Sequence, residues 1–367
     1  MEKEYISARN LRCLLMLLIL CGSLANGAFL VKQDMWIVVL LIGVIFLPLM
    51  LVYSRICGLF PGKGLFDIVG QVFGPKGRVI MILLLTLYTQ SVTGLVLQNY
   101  TEFTVVISLY RTPYIPILIL ILTGALYLAG KGVKVLGRWS LVIFGLIVVE
   151  LLLTLCFSMG AVIPEHILPV MDHPIGELGY NAYAIGVIVV GEGLMTAAVF
   201  GSVPKSEKPA KIFLPGILGG VLLFALMELQ NIMVLGPNLA QTAQFPSYMA
   251  SRVMGIGNFL ERIESTISMS YLFLGVTKLS LMLMVTAMGM AQLFQEKDYR
   301  KFLPSAGVLT LALGTLSFRN VVEMNDYVWV YSYLVLPMVT VLPLVLWIAC
   351  ERKARKQKHE GQSAAGK

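Results

Sequence analysis

The sequence predicts an all-α polytopic membrane protein with about ten transmembrane helices, and its composition carries the first argument. Hydrophobic residues make up 57% of the 367 positions, whereas charged residues make up only 13%. The mean hydropathy is +0.83. Soluble domains are nearer half apolar and about a quarter charged. The composition therefore excludes an ordinary soluble domain and places most of the chain in lipid.

Ten apolar stretches are long enough to cross a hydrocarbon core of about 30 Å. The fourth and ninth are the shortest, and Pro113 and Pro116 leave the start of the fourth open. We expect one transmembrane domain, residues 1–350, and a basic, disordered cytoplasmic tail, residues 351–367. The predicted spans are 10–31, 35–59, 78–108, 114–130, 138–162, 180–203, 212–236, 265–293, 303–318 and 327–350.

The distribution of basic residues predicts the orientation of these spans. With the N-terminus in the cytoplasm, inside segments hold 22 of the 28 Lys and Arg residues, outside segments hold 5, and Lys278 lies within the eighth span. Cytoplasmic loops of membrane proteins carry an excess of Lys and Arg. We therefore expect both termini to be cytoplasmic. This asymmetry accounts for the net charge of +8 without a nucleic-acid partner.

Two spans carry interruptions that indicate broken helices. Glycines and polar residues break the apolar run at 22–27 in the first span and at 190–193 in the sixth. Glycine costs about 1 kcal/mol inside a helix, but it permits unwinding where the backbone borders a cavity. Broken helices at equivalent positions of two halves are typical of transporter binding sites, and these two are equivalent in a five-plus-five inverted repeat. Close helix packing through small residues is the other explanation.

Lys278 lies in the middle of a long apolar run, where a charge costs roughly 2.5–3.5 kcal/mol. Such a residue normally faces the bundle interior or a watery cavity. It is either part of a functional site or one half of a structural ion pair. Three single acids in other spans are possible counter-charges, namely Glu150, Glu192 and Glu228.

A series of short motifs along nearly the whole chain resembles the B subunit of spore nutrient-germinant receptors. This is the spore germination permease family, within the amino acid–polyamine–organocation transporter superfamily. The motifs are Ile6-Ser7-Ala8-Arg9, Lys32-Gln33-Asp34 with Trp36, Tyr53-Ser54-Arg55, Leu59-Phe60-Pro61-Gly62-Lys63, Glu102-Phe103, Arg111-Thr112-Pro113, Leu168-Pro169-Val170, Leu235-Gly236-Pro237, Phe245-Pro246-Ser247, Phe259-Leu260-Glu261-Arg262-Ile263-Glu264, Gln292-Leu293-Phe294 and Asp298-Tyr299-Arg300.

The resemblance implies a location, partners and a ligand. Members of this family lie in the inner membrane of bacterial endospores, with both termini on the spore core side, and work with A and C subunits. The B subunit binds a nutrient germinant, often an amino acid, in a transporter-like pocket and triggers germination. No cofactor, metal or catalytic residue is implied.

The same resemblance, together with helix electrostatics, predicts the binding residues. Half-helix N-termini carry partial positive charge and suit a carboxylate, so the broken segments offer Gly22, Ser23, Gly27, Gly191 and Gly193 as backbone contacts. Placed relative to the shared Arg111-Thr112-Pro113 motif, Tyr88 and Val92 match pocket-lining positions of the family, and Thr277 matches a germinant-contacting position.

Tyr88 and Val92 also belong to a polar stripe on the third span. The stripe, which interhelical hydrogen bonding would explain equally well, consists of Tyr88, Ser91, Val92, Leu95, Gln98, Asn99 and Glu102.

Two roles are open for the buried charges. Related sodium-coupled transporters hold a cation between helices one and eight, and Lys278 is a candidate for a tethered cation at that place. Glu192 lies inside the sixth-span break, so it is either a proton acceptor or ligand contact, or only the partner of Lys278. Glu150 and Glu228 rank behind it.

The function that follows is nutrient sensing rather than catalysis. The sequence contains no HExxH, GxSxG or paired-carboxylate motif, and its three histidines fall in predicted loops or the tail. We expect a sensor that binds a small nutrient, with an amino acid as the first candidate. The alternative is a proton-coupled amino-acid permease, which the same fold and buried charges permit.

Overall fold

Helices make up the regular structure of this chain. The computed structural model describes residues 5–24, 31–109, 111–253, 263–318 and 321–365, and these residues form no β-strand. The α-helices are α1 (Ala8–Leu20), α2 (Met35–Leu59), α3 (Leu65–Val72), α4 (Pro75–Ile107), α5 (Tyr114–Gly130), α6 (Val133–Ser158), α7 (Ile175–Val189), α8 (Gly193–Ala198), α9 (Ala210–Leu235), α10 (Pro237–Thr242), α11 (Pro246–Val253), α12 (Ile263–Leu293), α13 (Leu303–Leu316), α14 (Val321–Leu336) and α15 (Leu342–Ala365).

Local sequence explains where several of these helices begin. The Ser7 side chain accepts a hydrogen bond from Asn10 N at 3.3 Å and so caps α1. Pro75 is the first residue of α4, where its missing N–H would have no partner in any case. The Asp67 carboxylate accepts from Gly64 N at 3.3 Å at the start of α3. Each of these three helices thus starts beside a residue whose chemistry favours the N-terminus of a helix.

Seven helical segments in the described part of the chain are long and apolar enough to cross a membrane. The three remaining predicted spans contain α1, α5 and α13, which have 13, 17 and 14 residues. A perpendicular helix needs about 20 residues to span the core. The polytopic, all-helical fold is therefore confirmed, whereas the number of ten spans stays a prediction.

Three spans are irregular. α1 passes into a 3₁₀ turn at Cys21–Leu24, and residues 25–30, which include Gly27, lie outside the described residues. The sixth span is split into α7 and α8, as the sequence predicted. The third irregularity was not predicted: a π-helical segment, Pro337–Val341, joins α14 to α15.

The middle of the bundle is formed by α12 and by the α7–α8 pair. α12 packs against α4, α5, α6 and α13, and α7 packs against α2 and α14. Every residue of α8 is buried. By contrast, α6 exposes large apolar side chains such as Val142, Val149 and Leu152, as expected of a lipid-facing helix. The bundle therefore holds the sixth and eighth spans, and their charges, away from lipid.

The loops gather at two faces of the bundle. The tail face carries residues 5–7, 60–74, 199–209 and the end of α15; there Ile6 N donates to Ser202 O at 2.9 Å. The loop face carries residues 31–34, 159–174 and 236–253; there Ile163 N donates to Met233 O at 3.0 Å. This distribution of the loops is the one expected if successive membrane-spanning helices run in alternating directions.

A buried aspartate organises the loop face. Asp34 accepts hydrogen bonds from Met171 N at 2.8 Å and His173 N at 3.1 Å, and it lies 2.9 Å from His173 Nδ1. The neighbouring Gln33 side chain donates to Pro169 O at 3.3 Å. The motifs at 32–34 and 168–170, which are far apart in sequence, are thus two halves of one contact.

The end of the chain differs from the expectation of disorder. α15 continues as a helix through Ala365, although residues 351–367 were expected to form a disordered tail. The physical reason is propensity, since Arg, Lys, Gln and Ala, which predominate in residues 352–358, are strong helix formers. Arg352, Lys353, Arg355 and Lys356 therefore belong to a helix that starts inside the bundle.

Candidate functional site

The two charges at the middle of the bundle form an ion pair. Lys278 Nζ, on α12, lies 2.7 Å from Glu192 Oε2, in the turn between α7 and α8. Both residues are buried, with 6% and 2% of their surface exposed. Removing one partner of a buried pair leaves an uncompensated charge, which typically costs about 3–5 kcal/mol. Each residue therefore requires the other.

The remaining two acids lie elsewhere. Glu150, on α6, lines a separate cavity of about 40 Å³ together with Gln230, Asn231 and Tyr271. Glu228 is buried on α9. The acid that meets Lys278 is thus the one within the helix break, and Glu150 belongs to a second, smaller polar region.

A cavity of about 90 Å³ opens beside the ion pair, and we call it the central cavity. It has a charged end at Glu192 and Lys278, a mostly apolar wall from α4 and α7, and two tyrosines from α14. Its lining residues are Cys21, Val92, Leu95, Val96, Asn99, Tyr100, Ile188, Glu192, Lys278, Tyr327 and Tyr331. The first, third, sixth, eighth and tenth predicted spans all contribute to this one space.

A larger pocket adjoins the central cavity on the side of α13 and α14, and we call it the side pocket. Its volume is about 710 Å³, and it shares Leu95, Tyr327 and Tyr331 with the central cavity. Tyr88 lines the side pocket and not the central cavity. The pair of tyrosines on α14 therefore borders both the small central cavity and the larger side pocket.

Two hydroxyl groups at the cavity have unused hydrogen-bonding capacity. Those of Tyr100 and Tyr331 are buried and complete no hydrogen bond of good geometry within the described chain. Buried polar groups in folded proteins are normally paired, and each exception needs a reason. A ligand with polar groups would supply partners for both.

The break between α7 and α8 is a tight turn, not an extended segment. Gly193 N donates to Val190 O at 2.8 Å, Leu194 N to Gly191 O at 3.1 Å, and Met195 N to Glu192 O at 2.9 Å. These bonds join residues three apart, as in a 3₁₀ helix. These local hydrogen bonds thus occupy the backbone N–H groups of Gly193, Leu194 and Met195. Gly191 N also has a partner, Gly186 O, at 3.3 Å.

The predicted glycines lie where helices approach closely. A Cβ at Gly22 would fall 2.4 Å from Val189 Cγ2, one at Gly191 would fall 2.6 Å from Val339 Cγ2, and one at Gly193 would fall 2.9 Å from Met50 Cε. None of the three lines the central cavity. Ser23 lies in the 3₁₀ turn after α1, and Gly27 is outside the described residues. Close packing, the alternative explanation for the glycines, accounts for these contacts.

Thr277 faces a different neighbour from Lys278. Its hydroxyl accepts a hydrogen bond from Trp139 Nε1 at 2.8 Å and donates to Phe273 O at 2.7 Å. Adjacent residues on a helix point about 100° apart, so Thr277 faces α6 while Lys278 faces the cavity. In this structure Thr277 positions Trp139.

Sequence reasoning found part of the cavity and missed the rest. Val92, Leu95 and Asn99 of the third-span polar stripe line the cavity, whereas another member of the stripe, Gln98, donates to Phe318 O at 3.3 Å. Tyr100, Tyr327 and Tyr331 were missed. The spacing of Tyr327 and Tyr331, four residues apart at the start of an apolar span, was an available signal.

The arrangement defines a class of protein: an integral membrane protein with a transporter-like helical fold and a central cavity at a broken helix. Structural comparison agrees. The Mhp1 nucleobase-cation-symport-1 family transporter, in a closed conformation with bromovinylhydantoin bound, matches 93% of this chain and 78% of its own with a TM-score of 0.66 and 12% identity. MhsT in complex with L-phenylalanine matches 91% of this chain and 87% of its own with a TM-score of 0.58 and 12% identity.

The family can also be assigned. The model of the family described as spore germination protein matches residues 5–322, and the chain belongs to this family. It is 27% identical to spore germination protein KB of Bacillus subtilis (strain 168), over 99% of this chain and 100% of the relative. It is 26% identical to the putative spore germination protein YfkT of the same organism, over 89% and 91%. The family predicted from short motifs is therefore confirmed.

Proposed function

We propose that this chain is the nutrient-sensing membrane subunit of a spore germination receptor and binds a small amino acid in the central cavity. The single observation that carries the proposal is the buried Glu192–Lys278 pair in the lining of the central cavity. A free amino acid has one carboxylate and one ammonium group. The pair offers a cation for the first and an anion for the second, in one place.

The rest of the cavity favours a small, neutral side chain. Val92, Val96 and Ile188 give an apolar wall, and among the described residues no charged side chain other than Glu192 and Lys278 lines the cavity. A volume of about 90 Å³ is below the roughly 150 Å³ of an engineered cavity that holds benzene. An amino acid of the size of alanine suits this space better than an aromatic one.

Partners and location belong to the same proposal. We place the chain in the spore inner membrane, with both termini on the cytoplasmic side, together with A and C subunits that carry the signal onward. Its family membership and transporter fold support this assignment. Binding in the central cavity would then set the state that these subunits detect.

The experiment measures binding of labelled amino acids to the full chain in detergent. Glu192→Gln is expected to abolish binding of a small neutral amino acid, because the ligand ammonium loses its anion. Glu150→Gln makes the same chemical change at a half-buried acid outside the central cavity and should leave binding unchanged. Equal loss in both variants, or binding retained in Glu192→Gln, would contradict the proposal.

A proton-coupled amino-acid permease is the second candidate, favoured by the buried, titratable Glu192 directly at the cavity. The two functions differ in ligand flux. In spores whose receptor contains this chain, ion release and uptake of labelled nutrient are measured together. Ion release without stoichiometric uptake supports the sensor. Saturable uptake that follows a proton gradient supports the permease.

A further inference from the structure

A groove with apolar and basic walls lies on the tail face, between the end of α3 and the last helix. Its volume is about 890 Å³. We call it the basic groove; it is lined by Val72, Phe73, Val345, Ile348, Ala349, Arg352, Lys353, Lys356 and Gln357. It shares no lining residue with the central cavity, so the proposed nutrient site does not include it.

The groove is ordered along the helix axis. Val345, Ile348, Arg352 and Lys356 follow one another at intervals of three or four residues, so they lie on one face of α15. The apolar residues come first and are 45% and 50% exposed. The basic residues come next, after Cys350, the last residue of the apolar span. An apolar wall thus passes directly into a cationic one where the helix leaves the membrane.

Several contacts fix this part of α15 in place. Arg55 on α2 donates to both oxygens of Glu351, at 2.6 and 3.3 Å. Lys353 Nζ donates to Gln71 O, in α3, at 2.5 Å. Glu351 is therefore engaged with α2, on a different face of α15, and does not line the groove. Among the described residues that line the groove, none is acidic.

We propose that the basic groove binds an anionic phospholipid, with the phosphate at Arg352 and Lys356 and an acyl chain along Val345 and Ile348. Basic pockets beside membrane helices on the cytoplasmic side suit lipid head groups. The apolar wall argues for a lipid rather than an acidic protein segment, because it continues the lipid-facing surface of the same helix. The acyl chain of the phospholipid then contacts the apolar wall and its phosphate contacts the basic wall, in the order in which these groups lie at a membrane surface.

The test titrates the purified full chain in detergent with phosphatidylglycerol and counts bound lipids by native mass spectrometry. Phosphatidylglycerol should bind in preference to phosphatidylcholine. The double variant Arg352→Gln/Lys356→Gln should weaken phosphatidylglycerol binding by about tenfold or more. The matched control, Lys208→Gln/Lys211→Gln, removes the same charge from exposed positions and should bind as the unchanged protein does. Equal weakening in both variants would reduce the effect to overall charge and overturn the proposal.

A second variant distinguishes lipid binding in the groove from general electrostatic attraction, because it leaves the charge of the protein unchanged. Ile348→Trp places a bulky ring on the apolar wall, so phosphatidylglycerol retention should fall although every basic residue remains. Unchanged retention would contradict an acyl-chain site. Inorganic phosphate at millimolar concentration should not displace the lipid. Displacement by phosphate, or by an acidic peptide at the same concentration, would identify a general anion site instead and refute the lipid assignment.

Discussion

At the scale of single residues, the Glu192–Lys278 pair is the most consequential contact in the described chain. Its two charges are expensive to bury alone and tolerable together. Evolution could replace both with apolar residues at little cost in stability, as buried ion pairs in other proteins show. Two charges at the cavity therefore suit the proposed binding role and are not needed for folding.

Removal of either charge alone should destabilise the protein more than removal of both. Lys278→Met and Glu192→Gln are each expected to lower the free energy of unfolding by about 3–5 kcal/mol, because each leaves a buried charge without its partner. The double variant should recover part of this loss. Thermal unfolding of the full chain in detergent checks the cycle. Additive losses in the double variant would show that the two residues do not interact.

The buried hydroxyl of Tyr331, which completes no hydrogen bond of good geometry within the described chain, predicts a separation of binding from stability. Tyr331→Phe should change the free energy of unfolding by less than about 0.5 kcal/mol, since no well-formed hydrogen bond is lost. It should weaken ligand binding by about tenfold, the value of one hydrogen bond.

Tyr53→Phe is the matched control for Tyr331→Phe, and we expect the opposite result. Tyr53 donates to Val339 O at 3.2 Å, so its loss should cost about 1 kcal/mol of stability and spare ligand affinity. If Tyr331→Phe behaved like Tyr53→Phe, the hydroxyl of Tyr331 would have a partner within the protein.

At the scale of elements, the two irregular segments of the sixth and tenth spans touch each other. Gly191, in the turn between α7 and α8, packs against Val339 in the π-helical segment. π-helical turns inside α-helices are rare and often lie at functional sites. Residues on both sides of this contact line the central cavity, namely Glu192 and Tyr331. Movement at the break would thus be transmitted to the last span.

A methyl group at Gly191 should disturb this contact. In Gly191→Ala the new Cβ would lie 2.2 Å from Val187 O and 2.6 Å from Val339 Cγ2, so backbone must shift. We expect a loss of about 1–3 kcal/mol of stability and impaired germinant response. Gly145→Ala is the control, because its Cβ meets nothing within 4 Å. Its stability, measured by thermal unfolding, should be unchanged or slightly higher. Equal behaviour of the two variants would exclude a tight contact at Gly191.

At the scale of the whole molecule, the charge asymmetry predicts that the tail face is cytoplasmic. In a Cys156→Ser background, which removes the exposed cysteine, Lys208→Cys tests the tail face and Thr242→Cys tests the loop face. A membrane-impermeant maleimide added to intact cells should label only the second. Labelling of Lys208→Cys from outside would reverse the orientation.

Much of the fold was predictable because its signals are local. Apolar length predicted the spans, and glycine clusters predicted the break beside Glu192. The site was only partly predictable, because the cavity depends on packing between distant segments. No local sequence pattern shows that Tyr327 and Lys278 line the same cavity. Nor does any local pattern show that Thr277 bonds to Trp139 whereas its neighbour Lys278 lines the cavity.

The π-helical segment has a consequence for the whole of the last helix. Its turn contains one residue more than a regular α-helical turn, and each residue of an α-helix rotates the next by about 100°. Deleting a single residue from 337–341 would turn this wide turn into a regular one and leave the orientation of the following residues nearly unchanged. Adding a residue to the regular helix after it would instead rotate everything beyond by about 100°. Glu351 would then turn away from Arg55, and Arg352 and Lys356 would leave the wall of the basic groove. The π-helical turn thus lets the chain carry one more residue near the central cavity without changing the angular setting of its last helix.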